Sequence, residues 1–505
     1  MNKSIQRILF TIFLYTLFHL SLVGCGGGGP SVSTKPPGPA NVVFLSTSTA
    51  NDQLNQFYLH LESISLVDAN GQIAPVRNFP PEYFSTEWIH VNGNPEPLFT
   101  ASLPQGTYTG VQISIATGSI SCFSLDSNGN PALNFWQLGN NQTVTSNFQQ
   151  PVIISGNSLG ILINLLVSKS TALPECNTNL AQNPPFTPTF SVTPIDISSL
   201  PTGAPSLEMS EMEGVIASVN AQDSTFTVSS VEGWGSAPYG IRPDPPDGPS
   251  WTLSTNSSTS FQGISDFSQL AVGMAVDIDA TIQQDGTLNA SRVAVYDTQT
   301  ENTSLWNGPI VRNFNAPLPG VTGGSTAMDI FGTEEIAGPV QGSGALAFDY
   351  GTSTFNTSKQ FSNLSNLPFP TNFNISNVVE GQNVAITMHN PYFPPSNVLP
   401  TLNSLTLIPQ TLNGTISSIG SDGNFTTYTI TLAPYNTFPL LATLPGQTTL
   451  LTNPSQVVVY ADSNTQMLNS SPVAVGNVMR FYGLVFNDSG TLRMDCAKIL
   501  DGVPE

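Results

Sequence analysis

Gly214-Val215-Ile216-Ala217-Ser218-Val219, followed by Phe226-Thr227-Val228, is matched later in the chain by Gly414-Thr415-Ile416-Ser417-Ser418-Ile419, followed by Tyr428-Thr429-Ile430. Apolar residues alternate with Ser and Thr in both, the period-two pattern of a half-buried strand. About 60 residues on, each start meets a second glycine signal, Val272-Gly273-Met274-Ala275-Val276 in one case and Val475-Gly476-Asn477-Val478-Met479 in the other. Asp285-Gly286-Thr287-Leu288 then parallels Asp488-Ser489-Gly490-Thr491-Leu492, a hairpin turn leading into a last strand. A weaker middle copy begins near Gly338 and includes Glu380-Gly381-Gln382-Asn383-Val384. The spacing divides the C-terminal part into repeats at 207–300, 301–410 and 411–505, the middle one divergent. Each offers five or six short strands, the number that closes a small barrel of the oligonucleotide/oligosaccharide-binding (OB) type and so removes exposed sheet edges.

Upstream, residues 41–197 read as a different β unit. Val42-Val43-Phe44-Leu45 is a strand; Phe57, Leu59 and Leu61 alternate with polar neighbours, and the apolar phase then slips to Ile64 and Leu66, which marks a β-bulge. Asp68-Ala69-Asn70-Gly71 supplies a turn, and Leu159, Ile161, Ile163, Leu165 and Val167 alternate through another strand. Short strands between Gly, Pro and Asn turns predict a sandwich. The Ser- and Pro-containing stretch 198–206 reads as a linker. The expected fold class is all-β: an N-terminal β-sandwich followed by three small OB-like β-barrel repeats.

The segment Leu103-Pro104-Gln105-Gly106-Thr107-Tyr108, leading into Val111, Ile113 and Ile115, resembles a family of bacterial lipoprotein domains of unknown function with a prealbumin-like, carbohydrate-binding-like sandwich. The G-x-I-x-S-V start, the central glycine and the D-G-T-L hairpin of the repeats resemble a second domain of unknown function, common in bacterial envelope proteins. Neither resemblance brings catalytic residues.

Near the N-terminus, Lys3 and Arg7 precede an apolar run at 8–22, too short to span a bilayer, which ends in Leu22-Val23-Gly24-Cys25. This resembles a bacterial lipobox. The resemblance implies a signal peptide at 1–24 and a mature chain that begins at Cys25, acylated on sulfur and nitrogen. Each buried CH₂ adds roughly 0.8 kcal/mol to membrane binding, so several acyl chains make a lasting anchor. Gly26, where an Asp would direct retention at the inner membrane, implies placement in the outer membrane. Residues 25–40, rich in Gly, Ser, Thr and Pro, read as a flexible tether.

Composition narrows the chemistry. Only 9% of the 505 residues are charged, against about 25% in typical domains. The formal net charge is −21, and removal of 1–24 takes away Lys3 and Arg7 but no acid. Such a surface repels phosphate backbones and anionic headgroups, so no nucleic-acid partner is expected and the membrane is reached through lipid. Of four cysteines, Cys25 is assigned to the lipobox, Cys122 and Cys176 are candidate disulfide partners in an oxidising compartment, and Cys496 is expected to sit unreacted in or beside a strand.

Catalytic and metal signals each meet a competing structural reading. Gly156-Asn157-Ser158-Leu159-Gly160 spells the G-x-S-x-G of a hydrolase elbow, but β-rich sequence follows where a helix is needed, and the later histidine is the distant His389. A hairpin turn is the favoured reading, with a serine hydrolase using Ser158 as the alternative. His60 and His90 have no partner at metal-ligand spacing, so no zinc site and no cofactor is expected. Asp126-Ser127-Asn128-Gly129-Asn130 begins like a calcium loop, but its glycine comes early and Gln137 stands where a Glu is required. Residues 231–251 form an insertion carrying Trp234, Tyr239 and Trp251, with Asp244 and Asp247 nearby. Aromatic faces with adjacent carboxylates suit a sugar ring, whereas the same residues also serve to pin a long loop to its own barrel. The sequence thus leads to a non-catalytic, lipid-anchored envelope protein, a spacer or a binder of a glycan or another envelope protein.

Overall fold

The computed structural model describes residues 39–79, 85–125, 131–138, 141–155, 159–171, 186–196, 208–229, 250–283, 286–297, 303–314, 327–334, 344–349, 353–358, 364–389, 402–442 and 450–504. The leader, most of the tether with Cys25, and the 198–206 linker lie outside them. The first unit contains β1 (Ala40–Thr49), β2 (Gln56–Asp68), β3 (Ile73–Asn78), β4 (Ser85–Glu87), β5 (Glu96–Leu103), β6 (Gly106–Leu125), β7 (Pro131–Gln137), β8 (Gln142–Ile154), β9 (Leu159–Leu166) and β10 (Phe190–Asp196). They form two sheets, one in the order β10-β9-β1-β5, the other β3-β2-β6-β7 with β4 on β2 and β8 on β6. The β2–β6 register shifts at His60/Leu61 and Leu61/Ser63, where the apolar alternation slips.

The run Val42-Val43-Phe44-Leu45 has no polar alternation because both faces of β1 are covered. Val42 and Phe44 enter the sandwich core, where Phe44 stacks on Phe99 with ring centroids 4.6 Å apart. Val43 and Leu45 join Met209, Phe226 and Ile278 in the core of the next unit. One sheet therefore serves two cores, and each of these large side chains contributes about 1.5–3 kcal/mol through burial.

The second unit comprises β11 (Glu208–Asn220), β12 (Thr225–Ser229), β13 (Ser250–Ser254), β14 (Ser260–Gln262), β15 (Ala275–Ile282) and β16 (Leu288–Asp297). Its strands run β13-β12-β11-β15-β16, and parallel pairing of Leu253 with Leu288 and Ser254 with Asn289 closes the ring. The fourth unit repeats this order with β23 (Gln410–Asp422), β24 (Phe425–Leu432), β25 (Gln456–Ala461), β26 (Gln466–Met467), β27 (Val478–Asp488) and β28 (Thr491–Asp501), closed by parallel pairing of Val457–Tyr460 with Leu492–Asp495. With five principal strands in the order 1-2-3-5-4-1, both are OB-like Greek-key barrels.

Between them stand β17 (Thr303–Phe314), β18 (Ala327–Glu334), β19 (Gly344–Asp349), β20 (Thr354–Thr357), β21 (Asn383–His389) and β22 (Ser404–Leu407). The order is β19-β18-β17-β21-β22-β20, and the β19–β22 pairing that would close this barrel is absent among the described residues. A hydrogen bond from Leu402 N to Asp349 O, 3.1 Å, spans the gap. The sequence placed the start of this copy near Gly338, which lies outside the described residues. Its first strand is instead β17, where Gly308-Pro309-Ile310 occupies the place of Gly214-Val215-Ile216.

A shared corner proves the equivalence. Gly273, Gly381 and Gly476 have φ of 90°, 93° and 88°, a left-handed conformation that glycine adopts without strain. Their N–H groups donate to the carbonyls of Ile216, Ile310 and Ile416, each at 2.8 Å. The N–H groups of those isoleucines donate back to Met274, Gln382 and Asn477 at 3.0, 2.9 and 2.9 Å. In each copy the isoleucine sits fully buried, at a bulge in the first strand.

Neighbouring units share apolar surface. Phe369 of the middle copy packs on Tyr460 and Phe486 of the last, at 4.8 and 6.0 Å between ring centroids. Phe123 of the sandwich, Val311 and Leu441 form a junction of three units.

Candidate functional site

The segment joining β4 to β5 is built around a buried carboxylate. Glu87 accepts from the backbone N–H of Phe57 (2.7 Å), Ile89 (2.9 Å) and His90 (2.8 Å), which folds residues 87–90 back on themselves. His90 Nδ1 lies 3.2 Å from Glu87 Oε2 and Nε2 lies 3.3 Å from Glu96 Oε2, so the imidazole bridges both ends of the segment. Its protonated form donates to both carboxylates at once.

The tip of this segment plugs into the last barrel. Asn92 Oδ1 accepts from the guanidinium of Arg480, and Asn92 O accepts from Thr411 Oγ1 at 2.6 Å. Asn94 Oδ1 accepts from Lys498 Nζ at 2.7 Å, while that ammonium also lies 5.0 Å from the centroid of the Tyr482 ring. Gly93, at φ +76°, presses so closely on Leu500 that a Cβ there would stand 3.1 Å from its Cδ2. Nearby, Asp52 accepts from Asn413 N (3.0 Å) and Asn436 Nδ2 (2.8 Å). Arg480 also donates through Nε to Asp501 O at 2.9 Å. Burial pulls the Arg480 guanidinium down to about 10, against the raising influence of Asp501 and Asp52, so it remains charged at neutral pH.

The first barrel meets the same region with opposite chemistry. Register places Asp277, Asp279 and Arg292 at the positions held by Arg480, Tyr482 and Lys498, counted from the partners of Gly214 and Gly414. Arg292 donates to Asp279 through Nε at 2.6 Å and to Asp277 through Nη2 at 2.8 Å. All three are buried. Burial pushes the Asp277 carboxyl up, Arg292 draws it back, and Asp279 and Glu96 push it up further. In the middle copy the corresponding pair is Thr387 and Ser404, whose hydroxyls lie 2.6 Å apart.

Where the sandwich, the middle copy and the last barrel converge they leave a cleft with a cavity volume of about 170 Å³. Amides dominate its lining, together with the carboxyl-bearing residues Asp52, Glu87 and Glu96, and neither Lys nor Arg lines it. Most of these groups are spent on the contacts above. Among those that are not, the Asn307 and Asn383 side chains make no hydrogen bond within the described residues, nor does Nδ2 of Asn51. Among the described residues no three His, Cys, Asp or Glu side chains gather as a metal site.

The residues singled out by sequence fall elsewhere. Trp251 lies in β13 opposite Val228, 6% exposed in the first barrel's core, so its face is not open to a sugar ring. Trp234, Tyr239, Asp244 and Asp247 are outside the described residues, as are Cys25, Ser158 and Asp126–Asn130. Cys122 is buried and disulfide-bonded, and Cys176 lies outside the described residues. Cys496 is buried in β28 and donates to Lys498 O at 3.3 Å; burial raises its thiol pKa, which leaves it unreactive. His60 occupies β2 opposite Thr117 and Ser85, and His389 ends β21 opposite Thr303. Of the histidines read as structural, His90 alone lines the cleft. The sequence signal for the site was the crowding of Asn around residues 51–55 and 92–94, which reads locally as turn chemistry.

No curated protein matches the chain. Residues 213–294, which run from Glu213, just before the first-strand glycine of the first barrel, into β16, match the family model of a domain of unknown function, DUF5666.

Proposed function

We propose that this is a non-catalytic, lipid-anchored protein of the bacterial cell envelope that serves as a rigid binding platform, held in the outer membrane by acyl chains on Cys25. The observation that carries the platform reading is the buried polar seam in which Arg480, Lys498 and Thr411 of the last barrel grip Asn92 and Asn94 of the sandwich. A string of independent spacer domains has no need of such a seam, because domains joined only by linkers move independently. The lipobox resemblance supports the anchor, and the sandwich resembles a prealbumin-like, carbohydrate-binding-like domain.

Membrane fractionation tests the anchor. The wild-type chain should pellet with membranes, need detergent for release and incorporate a labelled fatty acid, whereas Cys25→Ser should do none of these. A wild-type N-terminus found unacylated would overturn the reading. The hydrolase alternative predicts fluorophosphonate labelling of Ser158, and the platform reading predicts none.

A further inference from the structure

We propose that the cleft between the sandwich, the middle copy and the last barrel binds a neutral, hydroxyl-rich ligand the size of one sugar ring. This rests on the reading of the protein as a binding platform but not on its lipid anchor. Three observations lead to it, and the first is unspent hydrogen-bonding capacity. Asn307 and Asn383 are diagonal neighbours on one face, since Asn307 pairs with Ala385 and Pro309 with Asn383 across β17 and β21, and both amides line the cleft without a hydrogen bond among the described residues. Oδ1 of Asn307 is buried in that state. An unsatisfied buried polar atom is costly, and a ligand hydroxyl removes that cost by donating to it. Each amide offers a donor and an acceptor, and a sugar hydroxyl supplies the complement of both.

Charge is the second observation. Three carboxyl-bearing residues and His90 line the space, while the cationic groups nearest it, Arg480 and Lys498, are turned into the seam on Asn92 and Asn94. An anionic ligand would meet carboxylates with no cation to receive it, so phosphorylated and acidic sugars are disfavoured. The third is size and rigidity. A cavity of about 170 Å³ leaves room for a sugar ring. The walls are fixed beforehand: Glu87 and Glu96 hold His90 on one side, and Asp52 ties Asn413 and Asn436 on the other. A preformed site loses little entropy on binding.

Saturation-transfer NMR on the full chain in a zwitterionic detergent that contains no sugar tests the assignment. The probes are the methyl glycosides of glucose, galactose, mannose and N-acetylglucosamine, with gluconate as the anionic control. At least one glycoside should give saturable transfer, with gluconate silent. Asn307→Leu should weaken binding at least tenfold, Glu96→Gln should weaken it less, and Trp234→Ala should leave it unchanged, all with melting temperatures near wild type. Silence from every glycoside overturns the proposal. So does binding that survives Asn307→Leu, or that is lost in Trp234→Ala, which moves the glycan to the 231–251 insertion. If Asn307→Leu fails to fold, Asn383→Ala replaces it with the same expectation. The anchor is tested by acylation of Cys25, so its failure and that of the cleft are read separately.

Discussion

Asp495 projects from β28 beside Asp462, and burial, reinforced by that neighbouring carboxylate, pushes its pKa up to about 7. The folded chain therefore holds this proton more tightly than the unfolded chain, where an aspartate titrates near ~3.9. Its contribution to stability is complete below ~3.9 and is lost as the pH rises through about 7. With part of the side chain still reached by solvent, the loss is on the order of 2 kcal/mol. Urea midpoints measured at pH 5 and pH 8 should fall for the wild type and change much less for Asp495→Asn. Asp501 titrates in the opposite sense. Burial opposes its ionisation, but hydrogen bonds from Ser470 and Ser471 together outweigh that and hold it at about 2, so its contribution is present above ~3.9 and disappears as the pH falls through about 2. At this scale the sequence was informative about residue type only. Cys496 read correctly as a thiol in a strand, whereas nothing around Trp251 distinguished a core ring from an exposed one.

The element that defines the repeat is the glycine corner against the bulged first strand. Gly476 and Gly381 adopt the same backbone but have different surroundings: a Cβ on Gly476 would meet nothing within 4 Å, while one on Gly381 would stand 2.6 Å from the Phe438 ring. Gly476→Ala should thus cost about 1–2 kcal/mol for the left-handed conformation alone. Gly381→Ala should cost a further ~1–3 kcal/mol for overpacking. Chemical denaturation of the two variants measures the difference, and equal losses would mean that Phe438 gives way freely. This corner was legible in the sequence as the glycine signal of the first and third repeats and as Glu380-Gly381-Gln382 in the second. The motif that opens the middle copy was not legible. Pro309 and Arg312 replace the small and β-branched residues found in the other copies, which hid Gly308-Pro309-Ile310 from pattern matching although its backbone makes the same bonds.

For the whole molecule the decisive feature is the seam between units far apart in sequence. Arg480→Ala leaves Asn92 Oδ1 without its charged donor in a buried site and should cost about 3 kcal/mol. Calorimetry should resolve separate transitions for the sandwich and the last barrel in this variant, where the wild type unfolds them together; a single transition in both would show that apolar contacts suffice. Sequence by itself determined the all-β class, the repeat and the positions of the corner glycines. These follow from local rules: side-chain alternation at period two, and the freedom of glycine to take positive φ. Only the tertiary structure decided that β1 is shared between two cores, that equivalent outward positions carry an Asp-Arg-Asp cluster in one barrel and an Arg-Tyr-Lys cluster in another, and that Asn51, Asn307 and Asn383 meet in one cleft. The physical reason is that an outward-facing polar residue on a strand has the same local pattern whether water or another unit covers it. What covers it depends on contacts between residues hundreds of positions apart, which no local pattern records.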